Sequence, residues 1–277
     1  MFDFFKYPIS LIVSLLSVSL LAQDVSIPSS KQLGLPHVQN FSPKDYGANA
    51  FNYGATQDPQ GMLYFANGAG VLQYDGSNWR LIPLPKGQTA YSMACAANGL
   101  VYLGGGGEVG YLKPDEWGGM QFQSLLEWVP EQFRDFTYGW QTITTEAFVY
   151  FMTDKYLLRC QINKPQAQMK AWVFKNIYHQ LFVVEGELYA WEWGMGLEKM
   201  MGDSLQVVPG GGAFAEATIR FMTPLSDSDG EFLFGTVQKG FAVSDGTKVE
   251  FFRKNNVLEE YISNQSLYNS VVLQNGF

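Results

Sequence analysis

The chain has 277 residues and a formal net charge of -8, with 18 Lys+Arg against 26 Asp+Glu. Affinity for nucleic acid rests on clustered Lys and Arg that neutralise phosphates, so this acidic balance excludes nucleic acid as a partner. Hydrophobic residues make up 47% and charged residues 16%, which excludes disorder for most of the length.

Residues 1–22 read as a secretory signal peptide. Lys6 precedes an apolar run from Ile9 to Ala22, and polar Gln23-Asp24 follow. The run is shorter than the roughly 20 residues a membrane-spanning helix needs. Cleavage near Ala22 would place the rest in the periplasm or outside the cell, with the membrane met only through this peptide. An uncleaved anchor is the alternative. Residues 23–49 form a lead-in segment.

From residue 50 a repeat takes over. Gly61-Met-Leu-Tyr-Phe65, Gly99-Leu-Val-Tyr-Leu103, Ala147-Phe-Val-Tyr-Phe151, Gly186-Glu-Leu-Tyr-Ala190 and Gly230-Glu-Phe-Leu-Phe234 share one pattern, and Gly276 opens a sixth. Their intervals fall in the range of roughly 40–50 residues that marks β-propeller blades. Each unit resolves into four strands: an inner strand upstream, the anchor run, a third strand, and an outer strand after a turn such as Asp75-Gly76 or Asp245-Gly246. The predicted fold is all-β: a propeller of four-stranded antiparallel blades near 53–85, 91–129, 140–174, 178–208 and 219–252, with the start of a sixth at 268–277. Such a ring is incomplete, so the sequence reads as part of a longer protein. Glu127–Phe133 is expected to form one short helix.

Two stretches resemble a known family. Gly34-Leu-Pro-His-Val-Gln-Asn-Phe-Ser-Pro-Lys-Asp-Tyr46 followed by Tyr64-Phe-Ala-Asn-Gly-Ala-Gly-Val-Leu-Gln-Tyr-Asp-Gly-Ser-Asn-Trp79, and then Gly104-Gly-Gly-Gly-Glu-Val-Gly-Tyr-Leu112, are similar to the two-component-regulator propellers. These belong to bacterial envelope sensors with a triple-tyrosine domain, one transmembrane helix, and a histidine-kinase or helix-turn-helix output. The resemblance implies a periplasmic sensor module and allows a homodimer of the full-length protein. It is good to about residue 130 and weaker beyond.

Motifs for chemistry are sparse. Gly105-x-Gly107-x-x-Gly110 matches a dinucleotide fingerprint, yet a strand and Pro114 follow where a helix is required. Ser226–Glu231 resembles the opening of a calcium loop, but loop position 12 falls on Gln238, and a turn fits better. Cys95 and Cys160 fit no disulfide framework or zinc spacing and read as buried small hydrophobes. His37 and His179 read as structural or surface residues. No metal or cofactor is expected.

The feature that stands out is aromatic. Tyr53, Tyr91, Tyr178 and Tyr268 lie eight residues before their anchors, and Trp140 one place later in its own unit. Inner strands line a propeller's channel, so these rings are candidate ligand-binding residues, with Glu192 and Arg220 adding charge. Such rings suit a glycan or another small molecule; packing between blades is the competing role. A non-catalytic ligand-sensing propeller is the leading expectation. The alternatives are a secreted polysaccharide lyase or glycosidase, drawing on Glu192, Glu198, Asp115 or Glu108, and a protein-interaction scaffold.

Overall fold

The structure is a computed structural model and describes residues 38–176, 179–225 and 230–252. The chain divides into two compact units, Met1–Asn40 and Phe41–Phe277; the architecture below belongs to the second. The expected signal peptide, His37, Tyr178, the calcium-like loop at 226–229 and the sixth unit with Tyr268 lie outside the described residues.

Twenty strands form five four-stranded antiparallel sheets among the described residues, each ordered as its strands follow in sequence. Sheet one comprises β1 (Asn52–Gln57), β2 (Leu63–Asn67), β3 (Gly70–Tyr74) and β4 (Trp79–Ile82). Sheet two holds β5 (Ala90–Cys95), β6 (Val101–Gly105), β7 (Val109–Pro114) and β8 (Met120–Ser124). Sheet three holds β9 (Gly139–Thr144), β10 (Phe148–Thr153), β11 (Tyr156–Gln161) and β12 (Lys170–Val173). Sheet four holds β13 (His179–Val184), β14 (Glu187–Glu192), β15 (Gly196–Met201) and β16 (Ser204–Val207). Sheet five holds β17 (Ile219–Pro224), β18 (Phe232–Thr236), β19 (Gly240–Ser244) and β20 (Val249–Phe251).

The expected pattern of strands is present, with two corrections. Strands β2, β6, β14 and β18 start one or two residues after their anchor glycine. Gly61, Gly99, Gly186 and Gly230 have φ between 78° and 87°, a turn conformation that a strand cannot absorb. Glu127–Phe133 is not one helix. Two 3-10 turns, Leu126–Trp128 and Glu131–Phe133, flank Pro130, which has no N–H to carry a helical bond across.

Successive sheets pack face to face through four apolar cores. The tyrosine of each anchor run faces onward: Tyr64 packs with Val101, Leu103 and Leu112 of sheet two. Tyr102 meets Val149, Phe151 and Leu158 of sheet three, and Tyr150 meets Leu181, Leu188 and Ala190 of sheet four. Tyr189 meets Ile219, Phe234 and Ala242 of sheet five. Strand alternation sends the next residue of each run backward, so Leu103, Phe151, Ala190 and Phe234 receive these tyrosines. A buried Arg159 adds a polar clamp between sheets three and four. It donates to the Gly202 carbonyl at 2.8 Å, pairs with Asp203, and lies 4.5 Å from the centre of the Phe148 ring.

The lead-in does more than its polar sequence suggests. Ser42 donates from its backbone N to Asp45 Oδ2 at 2.6 Å, closing a one-turn helix α1 (Pro43–Tyr46). That turn sets Phe41 and Tyr46 against Trp79, at 5.2 and 5.5 Å between ring centres, while Tyr74 stacks on the same indole at 4.3 Å.

Candidate functional site

The inner strands β1, β5, β9, β13 and β17 lie side by side, and four of them carry a β-bulge at the same place, one residue into the strand. Asn52 pairs with Asn67 and Gly54 with Ala66, so Tyr53 is the extra residue of β1. Ala90 pairs with Gly105 and Ser92 with Gly104, which makes Tyr91 the extra residue of β5. Gly139 pairs with Thr153 and Gln141 with Met152, around Trp140 in β9. Ile219 pairs with Thr236 and Phe221 with Gly235, around Arg220 in β17. A bulge bends the strand and re-aims the extra side chain, and bulges concentrate beside binding sites. Strand β13 has no shift: His179 pairs with Glu192 and Gln180 with Trp191.

The bulge residues line two cavities that meet. The first, of about 560 Å³, is lined by Tyr53, Tyr91, Trp140, Gln141 and Thr142 among others. The second, of about 430 Å³, is lined by Trp191, Trp193, Thr218, Arg220 and Gln238. His179 and Gln180 belong to both linings, so the two cavities adjoin at the start of β13, and together they are called the trough. No Asp or Glu lines either cavity among the described residues, although the chain carries 26 acidic side chains.

Within the first cavity the rings touch one another. Tyr53 meets Tyr91 edge-on at 5.1 Å, and Tyr91 meets Trp140 at 5.0 Å. Trp140 stacks on Tyr138 at 4.6 Å with only 26° between the ring planes. Tyr53 remains 49% exposed and Trp140 46% exposed, so they are not core residues that happen to be aromatic. The floor is stiff. Ser92 Oγ donates to the Gly139 carbonyl at 2.8 Å and lies 2.8 Å from Thr142 Oγ1. The Gln141 amide donates to the Leu181 carbonyl and accepts from the Leu181 N–H, both at 2.9 Å, as a strand neighbour would.

The structure thus brings Tyr53, Tyr91, Trp140 and Arg220 to one trough and corrects the expectation for Glu192. The Glu192 side chain is buried on the face of sheet four that meets sheet three, where it accepts from the Asn176 N–H at 2.5 Å, and it lines neither cavity. Strand parity explains this, because Glu192 shares a face with Ala190, not with Trp191. Glu198 is also buried there; burial first, and then the Glu192 charge, push its carboxyl above the usual range. His179 stacks on Phe174 at 3.9 Å and holds the Thr153 carbonyl with Nε2 at 2.8 Å, so its role is structural while one edge meets the trough.

No family model and no curated protein matches the chain. Solved structures do. Virginiamycin B lyase from Staphylococcus aureus aligns with a TM-score of 0.53 and 11% identity, over 77% of this chain and 72% of that one. A streptogramin B lyase gives 0.52 and 15%, over 78% and 72%. The extracellular domain of a hybrid two-component system from B. thetaiotaomicron gives 0.43 and 12%, over 79% of this chain and 37% of that one. Identities this low speak for the fold alone. The fold is a β-propeller.

In propeller terms, Tyr53, Tyr91, Trp140 and Arg220 are one structural position repeated in four blades. Sequence reasoning found Tyr53 and Tyr91 eight residues before their anchors and Trp140 one place later, and Arg220 only as a nearby charge. It missed Tyr138, which precedes β9 and pairs with Gly106 in an isolated bridge. The signal was its place two residues before Trp140, the spacing that puts two strand-like side chains on one side. Among the described residues no helix is long and apolar enough to cross a membrane.

Proposed function

We propose that this propeller is an extracytoplasmic, non-catalytic ligand-binding module, the input part of a membrane-anchored two-component-type regulator. The observation that carries the reading is the bulge repeated at Tyr53, Tyr91 and Trp140, which presents three partly exposed rings to one cavity. Rings held in this manner give flat apolar faces, and the Gln180 amide beside them gives a hydrogen-bonding edge. This combination suits a sugar, whose C–H face stacks while its hydroxyls are held at the rim. Export follows from the apolar segment Ile9–Ala22, and the regulator context from the resemblance of residues 34–130.

Glycosidases need two carboxyl groups roughly 5–10 Å apart across one open site. Among the described residues the trough has no carboxylate in its lining, and Glu192 and Glu198 sit in the packed interface of blades three and four. A glycan library screened against the purified protein for both binding and turnover tests the reading. Binding without turnover is expected, weakened by Tyr91→Ala and by Trp140→Ala by about 1 kcal/mol or more each. Turnover that disappears in Glu192→Gln would replace the sensor with a propeller enzyme, and affinity unchanged in both aromatic variants would remove the site.

A further inference from the structure

We propose that the interface of blades four and five holds a separate binding site, a pocket for one neutral aromatic ring that carries a hydrogen-bonding oxygen. The site is independent of the trough and of whatever the trough binds. A cavity of about 180 Å³ lies between the two sheets, walled by Tyr189, Phe214, Met222, Phe232 and Phe234, with Ser244 among them. Protein interiors hold few voids larger than a water molecule, so an unfilled space of this size stands out.

The gap has a residue-level origin. On the third strand of each sheet, the residue opposite the one that receives a tyrosine, and the residue two places on, share the face towards the preceding blade. Sheet four fills those places with Glu198, opposite Ala190, and with Met200, which shares a core with Tyr150 and Leu188. Sheet five has Ala242, opposite Phe234, and Ser244, opposite Phe232. Both side chains are shorter than their counterparts, and a space is left at Ser244 where Met200 fills the preceding interface.

The walls select the guest. Phe214 and Phe234 lie 4.7 Å apart at 41°, and Tyr189 and Phe232 lie 6.3 Å apart at 56°. Two tilted pairs offer faces and edges to a further ring, the geometry in which aromatic groups attract. An apolar cavity of about 150 Å³ is enough to take up benzene. A sugar would leave its hydroxyls against phenyl walls, at the cost of their hydrogen bonds to water. Ser244 is buried and accepts from the Gly246 N–H at 3.1 Å, while its own proton has no acceptor among the described residues. That proton is available to an oxygen on the guest. Lys199, the charged residue of the described lining, lies 3.7 Å from Glu187 and over the Tyr189 ring, so no charged guest is called for. Pro209 and Gly246 are exposed and mark the mouth.

The test titrates the purified protein with benzyl alcohol, toluene and glucose and follows the signals of isotope-labelled methionine methyl groups. Met222 lines this cavity and Met152 lines the trough, so the two places report separately; Met222→Leu and Met152→Leu assign the two signals. Benzyl alcohol and toluene are expected to shift the Met222 signal with a Kd of about 1 mM or below, and glucose to leave it in place. Ser244→Ala should weaken benzyl alcohol about three- to tenfold and leave toluene unchanged, the scale of one neutral hydrogen bond. Ser244→Met gives sheet five the side chain that sheet four already has, and should weaken both guests by about tenfold or more. A Met222 signal that neither aromatic probe moves overturns the pocket. So does a guest that moves Met152 in its place, because that guest sits in the trough. Equal loss of benzyl alcohol and toluene in Ser244→Ala overturns the hydrogen-bonding oxygen. Should Ser244→Met fail to fold, the Met222 and Met152 signals of the unaltered protein decide.

Discussion

A Cβ on Gly139 would stand 2.7 Å from the Cα of Gly104, and a Cβ on Gly104 would stand 2.8 Å from the carbonyl oxygen of Gly139. Blades two and three therefore meet backbone to backbone at the rim of the trough, next to the Trp140 bulge. Gly139→Ala has no flexible side chain to displace and must push the two blades apart. A destabilisation of about 1–3 kcal/mol is expected from such overpacking. Denaturant unfolding measures it, and an unchanged midpoint would mean that the blades part at no cost.

Tyr138 and Trp140 should behave as one unit. Removing Tyr138 leaves the Trp140 indole with no stacked partner, so Tyr138→Ala is expected to reduce ligand affinity although Tyr138 is not in the cavity lining. A double-mutant cycle on stability should give a coupling of about 0.5–1.5 kcal/mol, the range for stacked aromatic pairs. Strict additivity would show that the stacking carries no energy.

Acid should loosen the outer hairpins first. Asp245 accepts from the Thr247 hydroxyl and from the Lys248 and Thr247 N–H groups, and these bonds hold its carboxyl at about 2, below the ordinary 3.8. Asp75 is likewise lowered, chiefly by the N–H groups of Asn78 and Ser77. Depressed values mean that the stabilisation is complete above the ordinary carboxylate range and is lost as pH falls from about 4 towards about 2. Unfolding midpoints followed from pH 5 to pH 2 should drop over that window, and Asp245→Asn should flatten the drop.

Glu198→Gln is expected to stabilise the protein at neutral pH. Its carboxyl is raised by burial and by Glu192, so ionising it opposes folding, and the penalty grows as pH rises through the raised value. The glutamine keeps the shape and removes that charge. Thermal melts at pH 7 should favour the variant, with the difference shrinking below pH 4.5. A variant that melts lower at both pH values would show that the ionised form is held by contacts worth more than the repulsion.

The blade order was legible because it rests on local signals: turn residues with special backbone conformations and apolar runs at a repeating interval. The outer strand Trp79–Ile82 lies where the sequence expects one, directly after the turn that Asp75-Gly76 marks. The bulges were hidden. No residue type marks them, and Tyr, Tyr, Trp and Arg occupy the position in turn; only the pairing across β2, β6, β10 and β18 reveals the extra residue. Glu192 was misplaced for a related reason. Sequence puts it near the channel end of β14, but which face it takes depends on register. Gln141, which nothing in the sequence singles out, stitches blades three and four with its side chain.

The forward-facing tyrosines give the stack a direction. Tyr64, Tyr102, Tyr150 and Tyr189 each reach into the following blade, and each following blade receives them with the residue next along its own anchor run. Blades two, three and four thus each have a plug on one side and a socket on the other. A gene segment of one blade length, duplicated in frame, would encode a unit that already fits both its neighbours, and lengthening the ring by recombination would require no new interface to be invented.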